Sequence, residues 1–240
     1  MVIAAEVLMV VVVAVAAVAV APAAAGRVAL VAGATGLVGQ AVLAALLADK
    51  RYSAVLAIGR RQLLEQHPRL VSMRVDFTRL QVLPPVDDVY IALGTTIKMA
   101  GSRQAFRAVD FDAVIAVATA AMAAGATRLG VVSAMGADAR SAIFYNRVKG
   151  EMEQALARIG FETLVIARPS ILDGDRAALA QPMRLGERLS VRLMSALKSF
   201  IPRNYRAIKA SDVARALVAG VADGRPGDRV IRAGDMQPRG

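Results

Sequence analysis

The chain has 240 residues, enough for one well-buried domain and too few for two of ordinary size. It has no cysteine, which excludes disulfides, thiolate nucleophiles and thiolate metal sites, and no metal centre is expected. The formal charge of +11 rests on 30 basic residues, but aromatics make up only 4% and Trp is absent, so no basic run is interleaved with rings on which bases would stack; nucleic acid is not the expected partner.

Residues 7–25 carry no charge, a stretch of 19 that is just long enough to cross a bilayer as a helix. A secretory signal would begin with a basic region, whereas the only charge ahead of the run is Glu6. An anchor would have almost no tether, because the first strand pattern starts at Arg27. Residues 1–26 are therefore set apart as an apolar extension, to be read as an anchor or as translation from an upstream start. Residues 27–240 are expected to form one domain located in the cytoplasm, with membrane association through residues 1–26 as the alternative.

From Arg27 onward, short runs rich in Val, Ile and Leu alternate with longer stretches of helical spacing. This is the pattern of a parallel sheet covered on both faces. Strands are expected near 27–32, 54–59, 72–75, 88–93, 128–133, 162–168 and 229–232, and helices near 37–48, 103–124, 143–159, 183–197 and 211–222. The expected fold is α/β, a doubly wound parallel-sheet Rossmann fold, with a short C-terminal segment on the substrate side from about residue 170.

The first strand runs directly into Gly33-Ala34-Thr35-Gly36-Leu37-Val38-Gly39, after which Val42, Leu43, Leu46 and Leu47 repeat at helical spacing. Glycines let the backbone turn tightly and approach a pyrophosphate, and the helix N-terminus offers unpaired N–H groups to the anion. Gly33, Thr35, Gly36, Leu37, Val38 and Gly39 are thus assigned to the phosphates of a dinucleotide. A site that prefers NAD places a carboxylate at the end of the second strand, some 20 residues on. Here that position reads Arg60-Arg61, whose guanidinium groups suit a 2′-phosphate, so NADP(H) is preferred over NAD(H). The alternative for this pair is a solvated loop. Gly94, with Thr95 beside it at the end of the fourth strand, allows backbone close to the cofactor ribose.

Tyr145 and Lys149 stand four apart on a predicted helix and share one face, while Ser133 ends the preceding strand. Hydride chemistry at a carbonyl needs an acid for the oxygen, or a base in reverse, and an unaided phenol near pKa 10 is a weak base. Lys149 is expected to lower the Tyr145 pKa and to bind the nicotinamide ribose, and Ser133 to polarise the substrate carbonyl.

The glycine spacing and the Ser133, Tyr145, Lys149 set resemble the extended and atypical short-chain dehydrogenase/reductases. Further blocks resemble the Tat-interacting-protein-like oxidoreductases and their bacterial counterparts: Ile58-Gly59-Arg60-Arg61, Val75-Asp76-Phe77, Leu93-Gly94-Thr95-Thr96, Val132-Ser133-Ala134-Met135-Gly136-Ala137-Asp138, residues 145–151 and Arg168-Pro169. The resemblance spans residues 27 to about 222. It implies that Asp76 bonds the adenine amino group and that the Pro169 turn lies against the nicotinamide. It also implies a branch in which some members act as redox-linked regulators. Many relatives carry two serines where this chain has Ser133-Ala134.

Between residues 183 and 209, Arg184, Arg188 and Arg192 form one stripe and Leu185, Leu189, Leu193 and Leu197 an adjacent one. Such a helix near 184–197 suits a substrate pocket, a second subunit of a homo-oligomer or an anionic membrane, the alternative being a core helix with a solvated basic face. The only histidine, His67, sits in a polar loop and is given no role. Two functions remain in view. The first is an NADP(H)-dependent oxidoreductase acting on a small carbonyl or alcohol, and the second is a dinucleotide-sensing regulatory protein with little turnover.

Overall fold

The computed structural model describes residues 26–173 and 202–237. Seven strands form one sheet in the order β3-β2-β1-β4-β5-β6-β9, and every neighbouring pair is parallel. They are β1 (Arg27–Ala32), β2 (Tyr52–Gly59), β3 (Leu70–Arg74), β4 (Asp88–Ile91), β5 (Arg128–Val132), β6 (Thr163–Arg168) and β9 (Gly227–Arg232). The strand order reverses between β1 and β4, and a crevice opens there at the carboxyl ends of the strands.

The two faces separate because side chains alternate along each strand. Ala29 and Val31 of β1 pack with Val42, Leu43 and Leu46 of α1 (Leu37–Ala48) and with Val213, Leu217 and Val221 of α6 (Ala210–Ala222). Leu30 of β1 and Leu129 and Val131 of β5 face the other way. They meet Val114, Val117 and Ala121 of α4 (Ala113–Ala123) and Met152 and Leu156 of α5 (Phe144–Ile159). Both layers are therefore nearly continuous apolar surface, with each fully buried Leu or Val contributing about 1.5–3 kcal/mol.

The expected 103–124 helix is not uniform. It begins as α3 (Arg103–Arg107), widens into a π-turn at Ala108–Asp112 and resumes as α4. The backbone stays in the right-handed helical region at Arg107, Asp112 and Ala113, so the axis continues while one turn is loosened. Ahead of α3 lies α2 (Ile97–Ala100), one turn capped by the Thr96 hydroxyl. A two-residue pair, β7 (Leu172–Asp173) with β8 (Ile208–Lys209), and the short α7 (Ala233–Met236) were not expected from the sequence. The helix expected near 183–197, with its basic and apolar stripes, lies outside the described residues, as does the apolar segment 1–25.

Candidate active site

The glycine turn follows β1 at this crevice and lies against the end of β4. Gly33 has φ +93°, and a Cβ there would fall 2.6 Å from the Ala92 carbonyl oxygen that follows β4. At Gly39 a Cβ would fall 1.9 Å from the Gly33 carbonyl oxygen, so this glycine is what lets α1 start directly against the turn. Gly36 differs: its Cβ would meet only the Gly33 oxygen, at 3.4 Å. Gly36 is also the residue before α1, and no side chain caps that helix. Its first-turn N–H groups are the donors a phosphate takes. Thr35, Gly36 and Leu37 are exposed, whereas Val38 is only 6% exposed and sends its side chain into the core, leaving its backbone for a ligand.

A hollow beside this turn is bounded by Gly33, Thr35, Gly59, Arg61 and Ser72. Arg60 and Arg61 are both exposed at the end of β2. Asp76 is exposed and caps a single 3-10 turn, accepting from the Thr78 N–H at 2.9 Å and the Thr78 hydroxyl at 2.8 Å. Those bonds hold its carboxyl below the ordinary aspartate range.

Ser133 follows the carboxyl end of β5, and Tyr145 and Lys149 lie in the first half of α5, one turn apart. Ser133 continues β5 by donating its N–H to the Ala167 oxygen at 2.8 Å, and its side chain is buried. Its neighbour in the turn, Met135, donates to the Pro169 oxygen at 3.1 Å, which ties the loops after β5 and β6 together. The 133–141 loop lies so tightly on α5 that a Cβ on Gly150 would sit 2.1 Å from the Ala139 nitrogen.

Two carboxylates that sequence reasoning did not assign complete the constellation. Ser133 Oγ donates to Glu153 Oε1 at 2.5 Å. Arg168 grips the same carboxylate, with Nε 3.0 Å from Oε1 and a second bond to Oε2. Lys149 Nζ lies 2.7 Å from Asp110 Oδ1, with both side chains 4% exposed or less. The other Asp110 oxygen accepts the Thr95 N–H at 2.9 Å. Asp110 comes from the π-turn, so it joins the loop after β4 to α5. A signal for both was present: Asp110 is four residues from Phe106 and from Val114 on the buried stripe, and Tyr145, Lys149 and Glu153 form one row at four-residue spacing. An acid on an apolar stripe is buried, and a buried acid needs a partner.

The electrostatics depart from expectation. Tyr145 packs its ring 5.5 Å from that of Phe106 and is half-buried. Burial, followed by the negative charge of Asp110, pushes its phenol up to about 12, not down. The expected lowering by Lys149 is corrected by the contact pair: the ammonium is already neutralised by Asp110. Burial likewise raises the Asp110 carboxyl, against the opposing pull of Lys149 and the Thr95 N–H.

Comparisons with known proteins agree with this architecture. Residues 33–223 match a family described as NAD(P)H-binding. Protein FMP52, mitochondrial, of Eremothecium gossypii is 38% identical over 151 residues, which cover 62% of this chain and 67% of that protein. Protein HTATIP2 of Rattus norvegicus is 33% identical over 195 residues, 78% of each chain. Among solved structures, MoeE5 in complex with UDP-glucose and NAD superposes with a TM-score of 0.62 at 20% identity, covering 86% of this chain and 75% of that one, a likeness of fold. The cytoplasmic location expected from the sequence is overturned, because FMP52 proteins from several fungi are named as mitochondrial. A lack of cysteine fits any reducing compartment and could not separate the two. Among the described residues no helix is long and apolar enough to cross a membrane. A match across most of the chain, on a sheet whose switch point carries the glycine turn, makes this chain a member of the NAD(P)H-binding family.

Proposed function

We propose that the protein is an NADP(H)-dependent oxidoreductase acting on a small carbonyl or alcohol, with Tyr145 handling the proton. The observation that supports this reading is that Ser133 follows β5 and Tyr145 and Lys149 lie in the first half of α5, on the side of the sheet where β1 runs into the glycine turn. The residues fit a dinucleotide: a tight turn that Gly33 and Gly39 allow by leaving no Cβ against its backbone, an exposed Gly36 with room at its Cβ position, uncapped N–H groups at the start of α1, and exposed guanidinium groups at the end of β2. When bound, the dinucleotide supplies or accepts the hydride. Gly33, Thr35, Gly36, Leu37, Val38 and Gly39 hold its phosphates, Arg60 and Arg61 the 2′-phosphate, Asp76 the adenine, and Gly94, Thr95, Lys149 and Pro169 the nicotinamide side. Preference for NADP(H) rests on the arginine pair standing where a ribose-binding carboxylate would repel a phosphate.

Calorimetry with NADPH and NADH tests the cofactor assignment. NADPH is expected to bind at least tenfold more tightly than NADH, and Arg60→Asp or Arg61→Asp to abolish that preference. Equal binding of the two cofactors by the natural chain would remove the arginine assignment. Turnover of small aldehydes and ketones with NADPH, lost in Tyr145→Phe while NADPH binding persists, separates an enzyme from a dinucleotide sensor. The sensor reading draws support from one feature, the engagement of both Ser133 and Lys149 by buried carboxylates.

A further inference from the structure

We propose that Ser72 of β3 is a specificity-determining residue of the dinucleotide site: it holds Arg61 in place and, with Arg61 and Thr35, binds a phosphate on the 2′ oxygen of the adenosine ribose. This inference rests on the dinucleotide-binding part of the reading above. It narrows the 2′-phosphate contact to one arginine of the pair and adds a residue of the next strand.

At the end of β2 the chain folds back on itself. The Arg61 carbonyl oxygen stands 3.3 Å from where a Cβ on Gly59 would be, so a side chain at position 59 would crowd the turn. Two contacts at Leu63 then fix the returning segment. Its side chain packs on the core layer that α1 covers, and its N–H donates to Ser72 Oγ at 2.9 Å. Beyond Leu63 the chain departs, with Leu64, Glu65 and Gln66 all exposed. Ser72 thus supplies the polar half of a clamp that keeps Arg61 beside the sheet.

The place so formed is the hollow between the glycine turn and β2. Ser72 stands opposite Ala57 in the β2–β3 register, and both border the hollow with Gly33, Thr35, Gly59 and Arg61. The polar residues of that lining are Thr35, Arg61 and Ser72, and no carboxylate is among the described residues that form it. Such a set offers hydrogens to an anion and nothing that repels one. A hydroxyl that accepts one bond still has its own proton to give, so Ser72 can hold Leu63 and donate to a phosphate at once. Arg60 does not border the hollow, and it adds its charge from outside. A dinucleotide whose pyrophosphate lies on the first turn of α1 brings its adenosine ribose to the end of β2. A 2′-phosphate there meets Arg61, Thr35 and Ser72, whereas a bare 2′-hydroxyl leaves most of their donors unused.

Calorimetry tests this with adenosine 2′,5′-bisphosphate and adenosine 5′-monophosphate, which differ only in the 2′-phosphate and need no turnover. The natural chain is expected to bind the bisphosphate at least about tenfold more tightly. Ser72→Ala is expected to weaken bisphosphate binding about tenfold, the worth of one hydrogen bond to a charged group, while monophosphate binding changes less than about threefold. Ser72→Thr keeps the hydroxyl on a residue suited to a strand and is expected to bind the bisphosphate within about threefold of the natural chain. Arg61→Ala is expected to lose more than Ser72→Ala, and Arg60→Ala no more than about threefold. A merely structural Ser72 would weaken both nucleotides together, or lower the melting temperature without touching the preference, and either result overturns the proposal. So does a loss in Arg60→Ala as large as that in Arg61→Ala, or a natural chain that does not prefer the bisphosphate. A failure of the oxidoreductase reading appears elsewhere, as absent turnover of carbonyls with dinucleotide bound, and leaves these affinities as they are.

Discussion

At the scale of single residues, three glycines in one turn do three different jobs, and mutation should separate them. A Cβ on Gly39 would collide with the Gly33 carbonyl at 1.9 Å, so Gly39→Ala must displace either the turn or α1. A loss of about 1–3 kcal/mol is expected, as for other forced overpacking, together with loss of dinucleotide binding. Gly36→Ala has room in the free protein, where its Cβ meets only one atom at 3.4 Å, but it places a methyl group where the proposed dinucleotide's pyrophosphate would approach the backbone. It should leave thermal stability nearly unchanged while weakening NADPH binding at least tenfold. Melting and calorimetry on the two variants check the split, and equal effects on both properties would refute it. The glycine pattern was legible because glycines carry their reason on their face. Asp110 and Glu153 were not, since an acid in a helix reads as a solvated one until its neighbours at four-residue spacing are seen to be core.

At the scale of elements, local sequence defined those helices whose ends are marked. α1 and α5 lie within a residue of expectation, because Gly36 precedes the one and Gly160, with φ +87°, ends the other. The π-turn at Ala108–Asp112 escaped because one loosened turn leaves the apolar period of 103–124 almost intact. The β7–β8 pair escaped because two residues have no period at all. α5 also depends on a contact that its own sequence does not announce, the close passage of the 133–141 loop over Gly150. Gly150→Ala would bring a Cβ to 2.1 Å from the Ala139 nitrogen, inside a helix where alanine is otherwise the better residue. The helical gain of about 1 kcal/mol is outweighed by the clash, and a net loss of about 1–2 kcal/mol is expected in denaturant melts. Because that loop follows Ser133, turnover in an active preparation should fall as well. A stabilised Gly150→Ala would mean that the loop yields at no cost.

At the scale of the whole molecule, both edges of the sheet bury tyrosines, and this makes stability a steep function of alkaline pH. At the amino edge Tyr52 donates to Asp88 at 2.7 Å. Its one proton being spent there, the 2.7 Å contact with Tyr90 requires Tyr90 to be the donor. Arg27 closes the cluster by pairing with Asp88, which is fully buried. Burial raises the phenols of Tyr52 and Tyr90 above the ordinary value, and Tyr145 at the carboxyl edge is raised to about 12. In the unfolded chain all three ionise near 10, so above that pH the unfolded state holds fewer protons than the folded one and gains the advantage. The stability associated with these phenols is complete below pH 10 and is lost as pH rises from there towards 12. Three such groups give a slope of up to about 4 kcal/mol per pH unit once the unfolded phenols are ionised. Urea melts at pH 8, 10 and 11 should show a plateau followed by a fall. Tyr90→Phe should remove about a third of that slope, at a cost below pH 10 of about 1 kcal/mol for the lost hydrogen bond. A flat profile through pH 11 would mean that these hydroxyls meet solvent. The parallel sheet and its two-faced core followed from the alternation of apolar runs, but this cluster did not, because it unites residues from the starts of three strands far apart in the chain and adjacent only in the finished sheet.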